Sequence, residues 1–547
     1  CATDEDRGRI HSDMETAIEE SDPPIVTKRP TLRAKYSAII WSYCQVFLQE
    51  NHPEPEQDKI IERFKYALLC PPHGRMSFLL TFFVLSSTTG IGLYSLLSHY
   101  PGLLHKTMSL YSILVFPLVG GYLAKYARMP GLLGMLLVGI IMRNIPYFDI
   151  YSHVDMAWQA RLRWVCVVVM LSRSGVTLSK FSMENLWMLI FRLGTVPCIV
   201  EGSLIGLIVR GILGIPWMWC FILGFSLSGN APNIIFPCLK KMNANGFGLI
   251  KGISIIDIAA SHIDNLVSYT LFGVLLGLSI PREGILGYKL SNVIISSFAG
   301  IFYGLPLGLF IRYFPEKASP SAGILRLAIV LTLNTTAVVG SINLGIPAAG
   351  AVASVALTYI ACHKWRREEN YDDMVTRGLD HLWYILEPCL FGLIGIQIPI
   401  SYLDGGVVGY AILIIILGVI VKMGTSYLVM MGTVLNHNEK VFIAITSLPK
   451  ATIQAALGAM PLDILIKKKF EGEVVEVAET LLIFAVLSIL ITAPLGAVLI
   501  NVFGPRLLPK ETMVLGNLTN AVTIVEHQIE MIDRKCYEQE VDLNDEK

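Results

Sequence analysis

One apolar segment concentrates groups that can hold protons or cations. Residues 252–270 read GISIIDIAASHIDNLVSYT. Four of them, spaced by four, three and four positions, share one face of an α-helix: Asp257, Ser261, Asp264 and Ser268. His262 and Asn265 share a neighbouring face. A carboxylate binds a hard cation through oxygen, and burial favours its protonated form, so the two ligands compete. The spacing predicts a proton or cation relay; the alternative places Asp257 among lipid headgroups at a helix N-terminus.

Three further charges lie inside apolar blocks. They are Glu201 in PCIVEGSLIGLIV, Lys422 in LGVIVKMGTSYLV and Lys450 in SLPKATIQAALG. A charge in the middle of a membrane span costs about 2.5–3.5 kcal/mol on the insertion scale, so it needs a partner or a function. We expect Glu201 to pair with Lys422; alternatively, Lys422 pairs with Asp264. Lys450 either belongs to this group or snorkels from a helix end.

Two segments have the sequence of interrupted helices, because glycine, proline and polar residues stand within apolar stretches. They are SLSGNAPNIIFP (226–237) and TSLPKATIQAALG (446–458). Unwound backbone at membrane depth is tolerated only where it is buried in protein or lines a cavity. A pair of such segments is the best sequence indication of a transporter site. The residues that we expect at the two interruptions are Gly229, Asn230, Pro232, Pro449 and Lys450.

The composition indicates a membrane protein. Of 547 residues, 53% are hydrophobic and 16% charged, whereas a soluble domain carries about 25% charged residues. The mean hydropathy is +0.58, and the formal net charge of zero gives no indication of a nucleic-acid partner. We find no nucleotide-binding loop, zinc-ligand spacing or nucleophile motif, so we expect neither an enzyme nor a cofactor. The cysteines are scattered and are interpreted as small buried hydrophobes.

The order of the apolar blocks predicts an all-α polytopic fold with about fourteen transmembrane helices. We expect residues 1–76 to form a partly disordered N-terminal tail, residues 77–503 the transmembrane domain, and residues 504–547 a C-terminal tail. An even number of spans places both tails on one side, and basic loop residues favour the cytoplasm. Membrane lipids are the expected surroundings, in either the plasma membrane or an organellar membrane.

Several long motifs carry a family resemblance from about Cys70 to Lys510. They are CPPHG, LGMLLVGIIMRNIP, PCIVE, GIPWMWCFILGF, LFGLIG, LPKATIQAALG and LSILITAPLGAVLI, followed by GPRLL. The chain resembles the animal NHA-type sodium/proton antiporters of the cation/proton antiporter superfamily. The resemblance implies an inverted-repeat fold with two crossed, broken helices, and a homodimer that exchanges Na⁺ or Li⁺ for H⁺ by elevator-like alternating access.

The resemblance also implies roles for single residues. The ion-binding pair falls on Asp264 and Asn265, the basic residue of the opposing helix on Lys422 and its carboxylate partner on Glu201. Arg173 matches an arginine of the family.

This sequence departs from the family pattern at the ion-binding pair. The second position is an aspartate in the family, but here it is Asn265, whose amide coordinates a cation yet exchanges no proton near neutral pH. Asp257 and Glu387 are acids where neutral residues are usual, and His262 stands where a small residue is usual. Three alternatives follow: a rewired exchanger that uses Asp264 with His262 or Asp257, a proton-coupled chloride transporter that uses Lys422, or an inactive regulatory relative.

Overall fold

A computed structural model of the chain describes residues 74–145, 154, 156–180, 186–249, 251–279, 286–316, 319, 321–367, 373–402 and 404–510. The regular structure of these residues is helical, with no β-strand among them. The predicted tails, 1–76 and 504–547, lie almost entirely outside the described residues. The chain divides into two compact units after Ser95, and α1 (Gly74–Leu97) supplies the described residues of the first.

The second unit contains sixteen α-helices within its described residues. In chain order they are α2 (Pro101–Tyr126), α3 (Gly131–Asn144), α4 (Met156–Leu178), α5 (Trp187–Leu213), α6 (Trp217–Ser228), α7 (Pro232–Ala244), α8 (Ile253–Ser279), α9 (Leu286–Ile311), α10 (Ala322–Leu344), α11 (Pro347–Trp365), α12 (Met374–Gly395), α13 (Gly405–Val429), α14 (His437–Thr446), α15 (Thr452–Gly458), α16 (Met460–Lys467) and α17 (Glu473–Leu507). A short 3₁₀ helix, Ile400–Tyr402, precedes α13.

Seven described segments are long and apolar enough to cross a membrane: Met76–Leu97, Pro101–Tyr126, Trp187–Leu213, Trp217–Ala244, Ala322–Leu344, Gly405–Val429 and Glu473–Leu507. The segment Trp217–Ala244 contains both α6 and α7. Helix α8 is 27 residues long, yet it is absent from this group. The polar residues at its buried face lower its mean hydropathy, so the helix with the most candidate site residues differs from a purely apolar span.

Helix α5 lies at the centre of the part that carries the site, because it packs against α6, α8 and α13. The contact between α5 and α6 depends on glycine. A Cβ atom at Gly224 would overlap the backbone carbonyl of Gly202. Small residues let two membrane helices approach at the level of their backbones, and here they bring the end of α6 close to Glu201.

Two helical paths are interrupted, as the prolines predict. Helix α6 ends at Ser228, and Gly229 is extended, with φ −64° and ψ 146°. Pro232 begins α7, where its missing N–H costs no helical hydrogen bond. Helix α14 ends at Thr446, and α15 resumes at Thr452 after a non-helical stretch that contains Pro449. Proline disfavours helical geometry in the preceding residue, which explains why the first interruption lies directly before Pro232 and why the second includes the residue before Pro449.

Candidate functional site

The ammonium group of Lys422 lies between two carboxylates at the centre of the second unit. Its Nζ atom donates to Asp264 Oδ1 at 3.0 Å and Oδ2 at 3.1 Å. It also lies 3.4 Å from Glu201 Oε2 and donates to the backbone carbonyl of Ser228. The two pairings that the sequence offered as alternatives are therefore both present, because α5, α8 and α13 meet at this lysine.

Lys450 joins the same cluster from the second interruption. Its Nζ atom lies 2.7 Å from Glu201 Oε1. The alternative that Lys450 snorkels to the surface is wrong, because the residue is 1% exposed. Lys450 directly follows Pro449 in the non-helical stretch between α14 and α15. The lysine therefore projects from unwound backbone rather than from a helix end.

The four charged residues form a compact buried group. Asp264, Lys422 and Lys450 are 1% exposed, and Glu201 is fully buried. With all four ionised, two negative charges balance two positive charges, so the group as a whole is neutral. Taking a charge out of water costs several kcal/mol per ion, and it is compensated only by close partners of opposite sign. Each lysine has a carboxylate within 3.0 Å, which meets that requirement.

The two interruptions lie against each other and against this group. Gln454 Nε2 donates to the carbonyls of Leu227 at 3.2 Å and Gly229 at 2.8 Å. The backbone N–H of Asn230 donates to Asp264 Oδ2 at 2.7 Å. Backbone groups that lose their helical partners are thus satisfied by side chains of the site, as a low-dielectric interior requires.

Four buried oxygens beside the interruptions accept no hydrogen bond within the described residues. They are Asn230 Oδ1, Asn265 Oδ1, Thr452 Oγ1 and Gln454 Oε1. A Cβ built on Gly229 would lie 3.0 Å from Asn265 Oδ1, which places that amide at the first interruption. Carbonyl, hydroxyl and carboxylate oxygens are the ligands that hard cations prefer. The arrangement offers such oxygens close to Asp264.

Asp257 and His262 lie outside the cluster of four charges. Asp257 is 3% exposed, so it is not at the protein surface among headgroups. Its Oδ1 atom lies 2.9 Å from the hydroxyl of Thr446, at the end of α14. His262 Nδ1 is 3.0 Å from the hydroxyl of Ser174.

A cavity of about 430 Å³ approaches the site from one end of α4, α7, α8 and α12. Arg173 and Asp380 form an ion pair of 2.9 Å in its wall, and Asn233 Nδ2 donates to Glu387 Oε1 at 3.2 Å. His262 lines the same cavity. The side chain of Asp380 is 53% exposed, so the cavity reaches the protein surface.

Sequence reasoning missed two features. Gln454, which bridges the interruptions, was part of a recognised motif but carried no charge to single it out. A buried ion pair joins Arg163 of α4 to Asp463 of α16, each with a side chain 2% exposed. Each of these residues stands near the end of an apolar block, where a charge is ordinary, so no local signal identified them.

A family profile and two human relatives indicate the same family. The profile of the sodium/hydrogen exchanger transmembrane region matches residues 114–501. Human sodium/hydrogen exchanger 9B1 is 32% identical over 452 residues, which are 81% of this chain and 86% of that protein. Human sodium/hydrogen exchanger 9B2 is 31% identical over 474 residues, 85% of this chain and 86% of that protein.

The fold is similar to that of a solved structure, the sodium proton antiporter MjNhaP1 from Methanocaldococcus jannaschii at pH 8. The TM-score is 0.60 at 17% sequence identity, and the match covers 74% of this chain and 99% of that chain. At this identity the likeness is one of fold alone. The resemblance expected from the motifs is confirmed by the family profile and the two human relatives: the chain is a multi-pass membrane protein that belongs to the sodium/hydrogen exchanger family.

Proposed function

We propose that this protein exchanges a monovalent cation, Na⁺ or Li⁺, for protons across a membrane, and that Asp264 is the carboxylate that both ligands share. The observation that carries the proposal is the contact of Lys422 with Asp264 between two helix interruptions. In this arrangement Lys422 occupies the place that a cation would take beside the carboxylate. A cation binds by displacing the ammonium group, which retains its second partner, Glu201.

Asn265 supports cation binding without carrying a proton. Its unpartnered Oδ1 atom, with Asn230 Oδ1 and Gln454 Oε1, supplies neutral oxygens to the cation. An amide does not titrate near neutral pH, so the proton must be carried by a carboxylate. Asp264 is that group at the interruptions, and Asp257 is a second buried carboxylate on the same helix face. His262 lies at the cavity end of α8, where solvent approaches.

The contacts of the two buried lysines favour a cation over chloride. Both buried lysines that an anion could use already contact carboxylates, Lys422 with Asp264 and Glu201, and Lys450 with Glu201. An anion would have to displace a carboxylate from one of these lysines, whereas unpartnered neutral oxygens beside the interruptions are already available to a cation.

The helix order supports the fourteen-span, inverted-repeat arrangement as part of this proposal. If α6 with α7, and α14 with α15 and α16, each form one interrupted span, the described helices make fourteen. The order helix, helix, interrupted helix, helix then occurs twice, in α4–α8 and in α12–α17. Gln454 joins the two interruptions, which supports crossed broken helices. We further propose a homodimer in the plasma membrane or an organellar membrane, with both tails in the cytosol.

Proton flux in proteoliposomes tests the proposal. A pH dye inside the vesicles reports the response to external NaCl, LiCl, KCl and sodium gluconate. We expect the response to follow Na⁺ or Li⁺, to be the same with gluconate as with chloride, and to vanish in Asp264→Asn. The control is Asp404→Asn, which changes an exposed carboxylate at the start of α13.

The outcomes separate the alternatives. Exchange that persists in Asp264→Asn would refute the role of that residue. A response that requires chloride would indicate anion transport at Lys422. Silence with every salt, in wild-type protein that elutes as a single folded species, would indicate a relative that does not transport.

A further inference from the structure

Helix α8 carries three buried polar side chains in a row between the cavity and the interruptions. Asp257, Ser261 and Asp264 are 3%, 1% and 1% exposed, and their spacing places them on one helix face with about 5–6 Å between successive Cβ atoms. On the neighbouring face, Ser254, Ile258 and His262 line the cavity. Asp257 and Ser261 therefore lie along the part of α8 that borders the cavity, and Asp264 lies beyond it.

Two atoms of this row have no hydrogen-bond partner among the described residues: Asp257 Oδ2 and Ser261 Oγ. A buried hydroxyl without a partner usually costs about 1–3 kcal/mol. Ser261 is thus an unexplained polar group between two carboxylates. Its hydroxyl has one proton to donate and two lone pairs to accept, which is the chemistry that a proton relay requires.

The hydrogen-bond partner of Asp257 permits a protonated as well as an ionised carboxyl group. The hydroxyl of Thr446 lies 2.9 Å from Asp257 Oδ1 and 2.7 Å from the carbonyl of Ile443. One hydroxyl has one hydrogen, so when Thr446 donates to the carbonyl, Asp257 must supply the proton of the other bond. An ionised carboxylate held by a single hydroxyl would be an uncompensated buried charge.

Charged groups on the helices around α8 are engaged elsewhere. Glu201 of α5 contacts the two buried lysines, Arg173 of α4 pairs with Asp380, and Glu439 of α14 pairs with Lys251 at 2.9 Å. None of these described side chains forms an ion pair with Asp257. The described residues therefore place no counter-charge in an ion pair with Asp257.

We infer that Asp257, Ser261 and Asp264 form a proton path along one face of α8, separate from the route of the cation. The Ser261 hydroxyl contacts neither carboxyl group in the present structure, so the transfer begins when Lys422 leaves Asp264 and this hydroxyl turns to bridge the two. The carboxyl proton of Asp257 then passes to Ser261 Oγ while the hydroxyl proton of Ser261 passes to the Asp264 carboxylate. Asp257 is then reprotonated from solvent in the cavity. Cation binding at Asp264 drives the same transfers in reverse. The inference rests on the proposed exchange at Asp264.

The experiment measures exchange rate against sodium concentration in proteoliposomes of Asp257→Asn and Ser261→Ala. Both variants should keep the KM for sodium while the maximal rate falls by about 100-fold, the contribution typical of a positioned proton-transfer group. Ser261→Thr, which restores a hydroxyl, should recover most of the rate. Ser279→Ala is the matched control on the same helix, since its hydroxyl lies at the far end of α8 and donates to the Leu275 carbonyl.

The results distinguish this path from the function on which it rests. Rates within twofold of wild type in both variants, with exchange still abolished in Asp264→Asn, would overturn the path and leave the proposed exchange intact. A second result would also overturn the path: a Ser261→Thr variant that binds sodium and stays folded but is as slow as Ser261→Ala. That result would show that the serine acts through packing. Exchange that survives Asp264→Asn would instead refute the role of Asp264 on which the path rests.

Discussion

Lys422→Gln removes the ammonium group that lies between Asp264 and Glu201. Lys450 still pairs with Glu201 at 2.7 Å, but Asp264 keeps only the backbone N–H of Asn230, at 2.7 Å, from its present donors. The variant therefore leaves one buried carboxylate without a counter-charge. Sodium can supply that charge, so the stability of the variant should depend on sodium in a way that the wild-type protein's does not.

The sizes of both effects follow from these contacts. Removing one partner of a buried ion pair costs about 3–5 kcal/mol of stability, so Lys422→Gln should be destabilised in sodium-free buffer. Hydrogen bonds to charged groups contribute about 1.5–3 kcal/mol. In the variant, sodium no longer has to displace the hydrogen bonds that Lys422 donates to Asp264 in the wild-type protein. Since 1.4 kcal/mol corresponds to a factor of ten, sodium should bind to Lys422→Gln about 10- to 100-fold more tightly than to the wild-type protein.

Thermal unfolding of the purified protein in detergent provides the assay. Unfolding midpoints are measured across a titration of sodium chloride, with choline chloride holding the ionic strength constant. Sodium at about 100 times its dissociation constant should restore about 2.7 kcal/mol to the variant. Lys180→Gln is the control, because Lys180 is 35% exposed and lies 3.7 Å from Asp373; exposed pairs contribute about 0–1 kcal/mol.

Two results would refute this reasoning. The first is a Lys422→Gln variant that unfolds at the wild-type temperature without sodium. The second is a destabilised variant that choline and sodium stabilise equally. In the double variant Lys422→Gln/Asp264→Asn both charges are absent, so part of the stability should return and the dependence on sodium should disappear.

Two further predictions concern other contacts. A methyl group at Gly229 would lie 3.0 Å from Asn265 Oδ1 and 2.8 Å from a neighbouring side chain, so Gly229→Ala should slow exchange and cost about 1–3 kcal/mol of stability. Gly211→Ala, where nothing lies within 4 Å of the added methyl group, is the control for the flux assay. Equal exchange rates in the two variants would contradict the prediction. Arg163→Gln breaks the buried pair with Asp463 and should cost about 3–5 kcal/mol without changing the KM for sodium, as measured by thermal unfolding and flux. A second change, Asp463→Asn, should recover part of that loss, and an undiminished melting temperature in the single variant would show that the pair contributes nothing.

Much of this protein could be predicted from its sequence because a membrane imposes strong local rules. Apolar blocks indicate the spans, and the prolines at Pro232 and Pro449 indicate where two of them break. Glu201, Lys422 and Asp264 stand out because a charge in an apolar block is costly and therefore needs a reason. These signals each lie within one segment, which is the distance over which hydropathy and periodicity carry information.

The partners of those residues were decided by tertiary structure alone. Lys422 and Asp264 are 158 positions apart, Gln454 and Gly229 are 225 apart, and Arg163 and Asp463 are 300 apart. Helical periodicity states which face of a helix a residue occupies, but not which helix it meets. The sequence favoured Glu201 as the partner of Lys422 and left Asp264 as the alternative. The close packing of α5, α8 and α13 lets the lysine contact both, because one ammonium group can reach carboxylates of two other helices only where three helices converge.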